Sequence, residues 1–339
     1  MEFTVIIMGR LEFASARSVV QATNTLVHLL ETRYKGDVLY RDAEQLLDAE
    51  KMALVCPREK FTCTEKMWLN TLHLLERAAE YSIAGDLNLW RIADGELLEY
   101  QLLEPIGDKT TIQAYRKGRS LIEAGAYSDA IASLTNAIKG CDRHACALER
   151  RGYAYYEMGN EEAAMADYAA SLAVDAKRPD AYLSRALIYI RRKDWKAAWA
   201  DLDMAMKRSM PHHNVYLEAL HRKGNCEMEM GQFEAALKSF HFFLTRPLKK
   251  DHPQYLFRRQ VTFDKGRTLA AAGDLDAAIA TFDEALKLPL RNGKPDMGEV
   301  LLHRGLAFQQ SGKSGFVEDW QKAADQGSKK AKELLAEVG

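Results

Sequence analysis

From about residue 110 to the C-terminus, small and large apolar residues recur among polar ones in a repeated pattern. Its core is a glycine, a second glycine seven positions later and an alanine five positions after that. Full copies begin at Gly118, Gly152, Gly224 and Gly266, a weaker copy is Ala186, Lys193 and Ala198, and a shortened copy begins at Gly305. Successive copies are 34, 34, 38, 42 and 39 residues apart. A period of this length predicts stacked helical or mixed units, each too small to bury its apolar face alone.

Each copy also carries a large apolar residue shortly after the alanine. These residues are Leu134, Tyr168, Leu202, Phe240, Phe282 and Trp320. The combined pattern resembles the tetratricopeptide repeat. The resemblance implies about six pairs of antiparallel helices over residues 110–339, in which small residues allow close backbone approach and the second glycine ends the first helix. A polar-faced cap helix is expected from Ser328 to Val338.

The longer steps late in the array predict longer first helices there. Pro253 to Ala272 is predicted as one helix, about 30 Å long at the usual rise per residue. The first helix of the preceding repeat is expected to begin early, near Val215. Longer helices would change the curvature of the array.

Residues 1–106 lack the repeat and predict a separate small α+β domain. Strands are expected at Phe3–Met8, near Leu46–Leu47, at Ala53–Cys56 with Pro57 as the stop, and on both sides of Asp94–Gly95, a strong hairpin signal. Helices are expected at Ser15–Tyr34 and after Thr64. This order resembles a ferredoxin-like fold with an extra edge strand. The chain is thus predicted to be mostly α-helical, with a tetratricopeptide-repeat solenoid following the α+β domain.

The family resemblance also implies which residues line the groove formed by the first helices. Of the residues at those positions, the candidates for contact with a partner are Tyr115, Arg119, Glu149, Tyr153, Tyr156, Leu183, Leu187, Ile190, His221 and Asn225. Tyrosine and arginine are favoured anchors at interfaces, so Tyr115, Arg119, Tyr153 and Tyr156 are the leading ones. An intramolecular alternative stays open, in which these residues pack on the N-terminal domain or on the second copy of a homodimer.

Composition and motifs argue against several other functions. The formal net charge is -1, from 47 basic and 48 acidic residues, which gives no electrostatic case for nucleic acid or an anionic membrane. No glycine-rich phosphate loop is present, and the spacing of the five cysteines does not fit a zinc ribbon. The cluster of His212, His213, His221 and Cys226 is expected to be polar surface. We therefore expect no cofactor, no metal and no enzymatic activity.

Two functional hypotheses remain from the sequence. In the first, the protein is an adaptor that binds a protein or peptide in the groove of the repeats. In the second, it is a regulator whose N-terminal domain senses a small molecule and alters that groove. The start of the chain has no signal-peptide pattern and no apolar run reaches 18 residues, so a cytoplasmic location with free thiols is expected.

Overall fold

The computed structural model of the chain describes residues 2–107, 109–211, 213–248, 250, 252, 254–290 and 295–338. These residues form two compact units, Met1–Arg185 and Ala186–Gly339. The boundary predicted at residues 106–110 lies inside the first unit, between the last strand and the first repeat helix. The first unit therefore holds the α+β region together with the opening repeats.

The α+β region is one antiparallel sheet with two helices. Along the chain its elements are β1 (Glu2–Phe13), α1 (Ala16–Leu29), β2 (Leu47–Asp48), β3 (Ala53–Thr64), α2 (Glu65–Ala79), β4 (Ser82–Ala93) and β5 (Glu96–Leu103). The strand order is β2-β3-β1-β4-β5, with every neighbouring pair antiparallel. The first four strands have the order of a split βαβ unit, and β5 is the extra edge strand, so the predicted topology is confirmed.

Local sequence signals explain where these elements begin and turn. The Ser15 side chain accepts a hydrogen bond from the Ser18 N–H and caps α1, while Thr64 caps α2 in the same way. Between β4 and β5, Asp94 and Gly95 both have positive φ angles, of 50° and 81°. Two such residues form the tight turn that the hairpin signal predicts.

The prediction that Pro57 stops a strand is wrong. β3 continues through Pro57 to Thr64. Opposite this proline, the pairing of β1 with β3 shifts register between Ile7 and Gly9. Proline has no N–H to donate to the ladder, and a bulge is a position where a strand tolerates that loss.

The rest of the described chain consists of paired helices. They are α3 (Thr110–Glu123), α4 (Tyr127–Gly140), α5 (Ala145–Glu157), α6 (Glu161–Val174), α7 (Pro179–Arg191), α8 (Trp195–Arg208), α9 (Asn214–Glu229), α10 (Phe233–Leu244), α11 (Arg258–Ala271), α12 (Leu275–Lys287), α13 (Met297–Gln310), α14 (Phe316–Asp325) and α15 (Lys329–Val338). Among the described residues these are six helical pairs and a final helix, as the repeat pattern predicts.

Glycines and large apolar residues fit together inside each pair. The six large residues of the pattern, from Leu134 to Trp320, are all fully buried. A Cβ added to Gly266 would lie 2.6 Å from the ring of Phe282, and one added to Gly224 would lie 2.6 Å from the ring of Phe240. The first helix can therefore approach the second only because its backbone carries no side chain at that point.

The prediction of one long helix from Pro253 to Ala272 is wrong over its first part. Pro253 lies outside the described residues, a short 3-10 turn occupies Tyr255–Phe257, and α11 begins at Arg258. The Arg258 guanidinium donates to the carbonyl of Arg246 at 2.6 Å, which fastens the preceding connection to the helix start. Only α9, with 16 residues from Asn214, shows the early start expected of the late repeats.

Candidate functional site

A polar pocket of about 370 Å³ lies between the first helices of the fourth and fifth repeats, inside the second unit. Its residues come from α9, from the turn before α11 and from α11 itself. They are Glu218, His221, Arg222, Asn225, Gln254, Phe257, Gln260, Asp264 and Arg267. A volume in this range accommodates a small ligand or a few side chains of a bound peptide.

Helical spacing brings these side chains to one face. His221 and Asn225 are one turn apart on α9, and Gln260, Asp264 and Arg267 follow each other by one turn on α11. Residues three or four positions apart are neighbours on a helix surface. The facing stripes of α9 and α11 therefore bound the pocket from two sides.

A buried carboxylate organises the floor of the pocket. Asp264 is only 2% exposed. One of its oxygens accepts from His221 Nε2 at 2.8 Å and from Gln260 Nε2 at 3.1 Å, and the other lies 3.5 Å from Arg267 Nη1. A buried charge needs such donors to offset its lost hydration. These hydrogen bonds fix the histidine and the glutamine in place.

Two side-chain amides in the pocket keep unused hydrogen-bonding capacity. Asn225 Oδ1 is buried and has no partner among the described residues. Its Nδ2 lies 3.3 Å from His221 Nε2, a nitrogen that cannot accept a hydrogen bond while it donates to Asp264. Gln254 is 5% exposed, and its side-chain amide makes no hydrogen bond to the described part of the chain. Buried amide groups normally find partners, so the Asn225 oxygen is suited to a ligand that supplies a donor, and Gln254 can add a further hydrogen bond.

The charged residues at the rim balance one another. Arg222 donates through Nε and Nη2 to a carboxylate oxygen of Glu218, at 3.0 and 2.8 Å. Arg267 is drawn toward Asp264, as described above. The pocket therefore offers neutral hydrogen-bonding groups rather than a net charge, which matches the main-chain amides of a peptide better than a phosphate or an ammonium group.

Two of the predicted groove residues in the first unit lie beside the protein's own N-terminal region. Tyr115 borders a cavity of about 10 Å³ together with Ile83 and Pro105 of that region, and its ring lies 4.6 Å from the ring of His144 within the repeats. Arg119 forms an ion pair with Glu104 at 2.6 Å. For these two residues the structure has the intramolecular arrangement that the sequence left open, in which groove residues pack on the N-terminal domain. The cavity is too small for a metabolite, so it lends no support to ligand sensing.

The remaining predicted residues differ in their exposure. Glu149 and Leu183 are buried, and burial raises the pKa of Glu149, whose carboxylate accepts from Ser184 Oγ at 3.2 Å. Tyr153 and Tyr156 on α5 are half-buried. Tyr153 meets the Tyr127 ring edge to face at 6.5 Å. Leu187 and Ile190 on α7 are also half-buried. Of the ten predicted residues, only His221 and Asn225 line the 370 Å³ pocket.

The sequence analysis missed the half of the pocket that belongs to the fifth repeat. Relative to Gly266, the residues Gln260 and Arg267 occupy the same repeat positions that Glu218 and Asn225 occupy relative to Gly224. Extending the groove positions to that repeat would have found them. Asp264 and Gln254 occupy none of those positions, so the repeat pattern carries no signal for them.

The described residues offer few groups suited to metal or redox chemistry. In residues 2–338, less the masked gaps given above, no three His, Cys, Asp or Glu side chains converge as metal ligands. All five cysteines are free thiols and are buried. No helix in the described ranges is both long and apolar enough to cross a membrane.

Comparison with solved structures identifies proteins of similar fold. The structure of PilW, a widely conserved type IV pilus biogenesis factor, is 17% identical, with a TM-score of 0.54 over 68% of this chain and 100% of that one. PilF of Pseudomonas aeruginosa is 14% identical, with a TM-score of 0.54 over 67% and 97%. The APC/C hetero-tetramer Cut9-Hcn1 is 13% identical, with a TM-score of 0.53 over 67% and 42%. At these identities the likeness concerns the fold alone.

Sequence comparison gives the family. No curated protein matches the chain at a significant level. The family described as tetratricopeptide repeat matches residues 115–178, 221–288 and 263–329, which together span just over half of the chain. The matched segments contain the copies of the pattern that begin with glycine, five of the six buried large residues, all of α11 and the second half of α9. The chain belongs to the tetratricopeptide repeat family.

Proposed function

We propose that the protein is an adaptor that binds an extended segment of a partner protein or peptide through the first helices of its repeats. Proteins of the tetratricopeptide repeat family generally mediate protein–protein interaction and are typically scaffolds without enzymatic activity. The observation that carries the proposal is the buried, unpartnered amide oxygen of Asn225, with Gln254 beside it in the pocket between α9 and α11.

A peptide main chain supplies the donors and acceptors that these amides lack. Each peptide unit offers one N–H and one C=O, and an extended segment presents them at regular intervals. A pocket without net charge imposes no charged anchor on the partner. Phe257 adds an apolar wall against which a partner side chain can pack. We assign the partner-binding role to this pocket, and place the protein in the cytoplasm on the sequence evidence alone.

Replacement of Asn225 by leucine tests this assignment. The leucine removes the unpaired amide and fills part of the pocket with an apolar side chain. A partner captured from the native cells by the wild-type protein is expected to bind the variant about ten-fold more weakly, the loss of roughly 1.4 kcal/mol. Quantitative affinity capture followed by titration of the purified partner measures the change.

Asn136 provides a matched control. It lies exposed on α4, a second helix, away from the pocket residues named above. Asn136→Leu is expected to leave capture unchanged. Equal losses in both variants, or none in either, would remove the pocket from the binding site. The double change Tyr153→Ala and Tyr156→Ala tests the aromatic residues of the first unit separately.

A further inference from the structure

The first helices of the opening repeats, with the connections that precede them, have a second surface, which the N-terminal domain covers. All of its residues lie within the first unit, Met1–Arg185. Ile83 and Ala84 of β4 pack against Cys141, and Asp86 accepts a hydrogen bond from the Cys146 thiol at 3.1 Å. Cys146 is at a groove position of the second repeat. The domain thus occupies the place that a partner would take in an open repeat array.

Three ion pairs join the domain to the repeats, with all the acids on one side and all the bases on the other. Glu12 pairs with Arg143 at 3.0 Å, Asp86 with Arg178 at 3.1 Å, and Glu104 with Arg119 at 2.6 Å. A fourth arginine, Arg116, donates to the Pro105 carbonyl at 3.1 Å. The repeats would therefore present four arginines if the domain were absent.

Within the repeats, Arg143 also lies 3.7 Å from Asp142, which is exposed. The buried carboxylate of Glu149 lies 3.3 Å from Arg150 and accepts from Ser184 rather than pairing with one of the four arginines. Burial would raise the pKa of Asp86, but the Arg178 charge and the hydrogen bonds from Cys146 and Asn88 lower it, so the carboxylate is ionised and pairs as an anion. The surface is complementary to acidic groups, and in this structure the N-terminal domain of the same chain supplies them.

Much of the contact is polar, and some of its buried hydrogen-bonding groups have no partner in the described part of the chain. Arg178 Nε and His144 Nε2 are buried without a hydrogen-bond partner among the described residues. Buried ion pairs contribute less to stability than apolar packing of the same size, because both charges lose their hydration. Polar contacts between domains of one chain are also the kind that open and close. A competing ligand can therefore displace this one.

We propose that Arg116, Arg119, Arg143 and Arg178 form a binding surface for an acidic polypeptide segment. The N-terminal domain covers this surface until such a segment displaces it. An acidic partner replaces Glu12, Asp86 and Glu104 with carboxylates of its own. The association constant measured for such a partner equals its intrinsic value multiplied by the fraction of molecules in which the domain is displaced. This surface is separate from the pocket at Asn225, and its test does not depend on that pocket.

The test uses the full-length chain and a fluorescent oligoglutamate peptide. Glu12→Gln, Asp86→Asn and Glu104→Gln together remove the resident acids while conserving side-chain shape. This triple variant is expected to bind the peptide at least about ten-fold more tightly than the wild type, because more molecules are open. The matched control carries Glu31→Gln, Glu50→Gln and Glu96→Gln, three exposed acids of the same domain, and is expected to bind like the wild type.

Equal binding by the triple variant and the control would overturn the proposal, as would undetectable binding by both. Arg119→Gln, Arg143→Gln and Arg178→Gln, added to the triple variant, are expected to abolish binding. A single-stranded oligonucleotide that binds as tightly as the peptide would indicate general affinity for polyanions and would also overturn it.

A second measurement covers the case in which the triple variant does not fold. Saturating oligoglutamate is expected to speed amide hydrogen exchange in residues 82–88 of the wild-type protein, because displacement of the domain exposes that part of β4. An oligoserine peptide is expected to leave exchange there unchanged. Unchanged exchange with saturating oligoglutamate would show that the domain is not displaced.

Discussion

At the scale of single residues, burial between repeats sets the chemistry of a histidine close to the pocket. His303 on α13 lies 5.1 Å from the ring of Phe263 and 6.3 Å from that of Phe282, measured between ring centroids. Burial, together with the nearby charge of Arg267 and against the opposing effect of Asp264, lowers the pKa of His303 to about 4. The imidazole is therefore neutral in the folded protein at pH 7, and it must be protonated on unfolding in mild acid.

His303 predicts a loss of stability on acidification. Its folded pKa lies below the unfolded value of 6.5, so the unfolded chain binds the proton first. Stability is therefore lost as the pH falls from 6.5 towards 4, by roughly 3 kcal/mol at most. Urea unfolding at pH 7 and at pH 5 measures the loss, and His303→Leu is expected to show a smaller one. If the free energy of unfolding of His303→Leu fell between pH 7 and pH 5 by as much as that of the wild type, this role would be contradicted.

The sequence located some residues of the site for a clear reason. His221 and Asn225 follow from the repeat positions, since those positions fix which side of a helix a residue takes. Asp264 could not be found in this way, because its importance comes from hydrogen bonds to residues 43 and 4 positions away. Tyr115 and Arg119 were predicted for a partner, but whether a partner reaches them depends on a contact between distant parts of the chain.

At the scale of elements, the repeat pattern predicted helix pairs well because each pair uses the same local chemistry. The second glycine of each full copy has a positive φ, 73° at Gly125 and 79° at Gly159, and so ends the first helix. The predictions for Pro57 and for the start of α11 were wrong because contacts with other segments determine both. A bulge accommodates the proline, and a connection fastened by Arg258 delays the helix. Local helix and strand propensities indicate neither the bulge nor the delayed start of the helix.

The weaker third copy of the pattern predicts a stabilising substitution. Lys193 stands where the other copies have glycine, and its φ is 60°. A left-handed conformation costs a residue with a Cβ roughly 1 kcal/mol relative to glycine. Lys193→Gly is therefore expected to raise the free energy of unfolding by about 1 kcal/mol, measured by urea denaturation.

Lys196, exposed in the first turn of α8, is the control. Lys196→Gly is expected to lower stability, because glycine inside a helix costs up to about 1 kcal/mol. If Lys193→Gly destabilised the protein as well, the lysine side chain would have a stabilising contact that outweighs its backbone strain.

At the scale of the whole molecule, the sequence predicted an α+β domain followed by repeats, and both are present. The sequence left open whether the N-terminal domain packs on the repeats, and in the structure the sheet and the opening repeats form one compact unit ending at Arg185. The contacts that join them include pairs 15 and 131 positions apart, Glu104 with Arg119 and Glu12 with Arg143. Single charges in polar stretches give no sequence signal for such pairing, because solvated helix faces have the same composition.

The pocket between α9 and α11 is assigned to contact a partner segment, and site-specific photo-crosslinking measures that contact. A photoreactive phenylalanine analogue at position 260 replaces a pocket residue, and one at position 284 replaces the exposed Glu284 on α12. After ultraviolet irradiation with the captured partner, position 260 is expected to give a crosslink to one continuous partner segment and position 284 none. Crosslinks from 284 with none from 260 would contradict the claim.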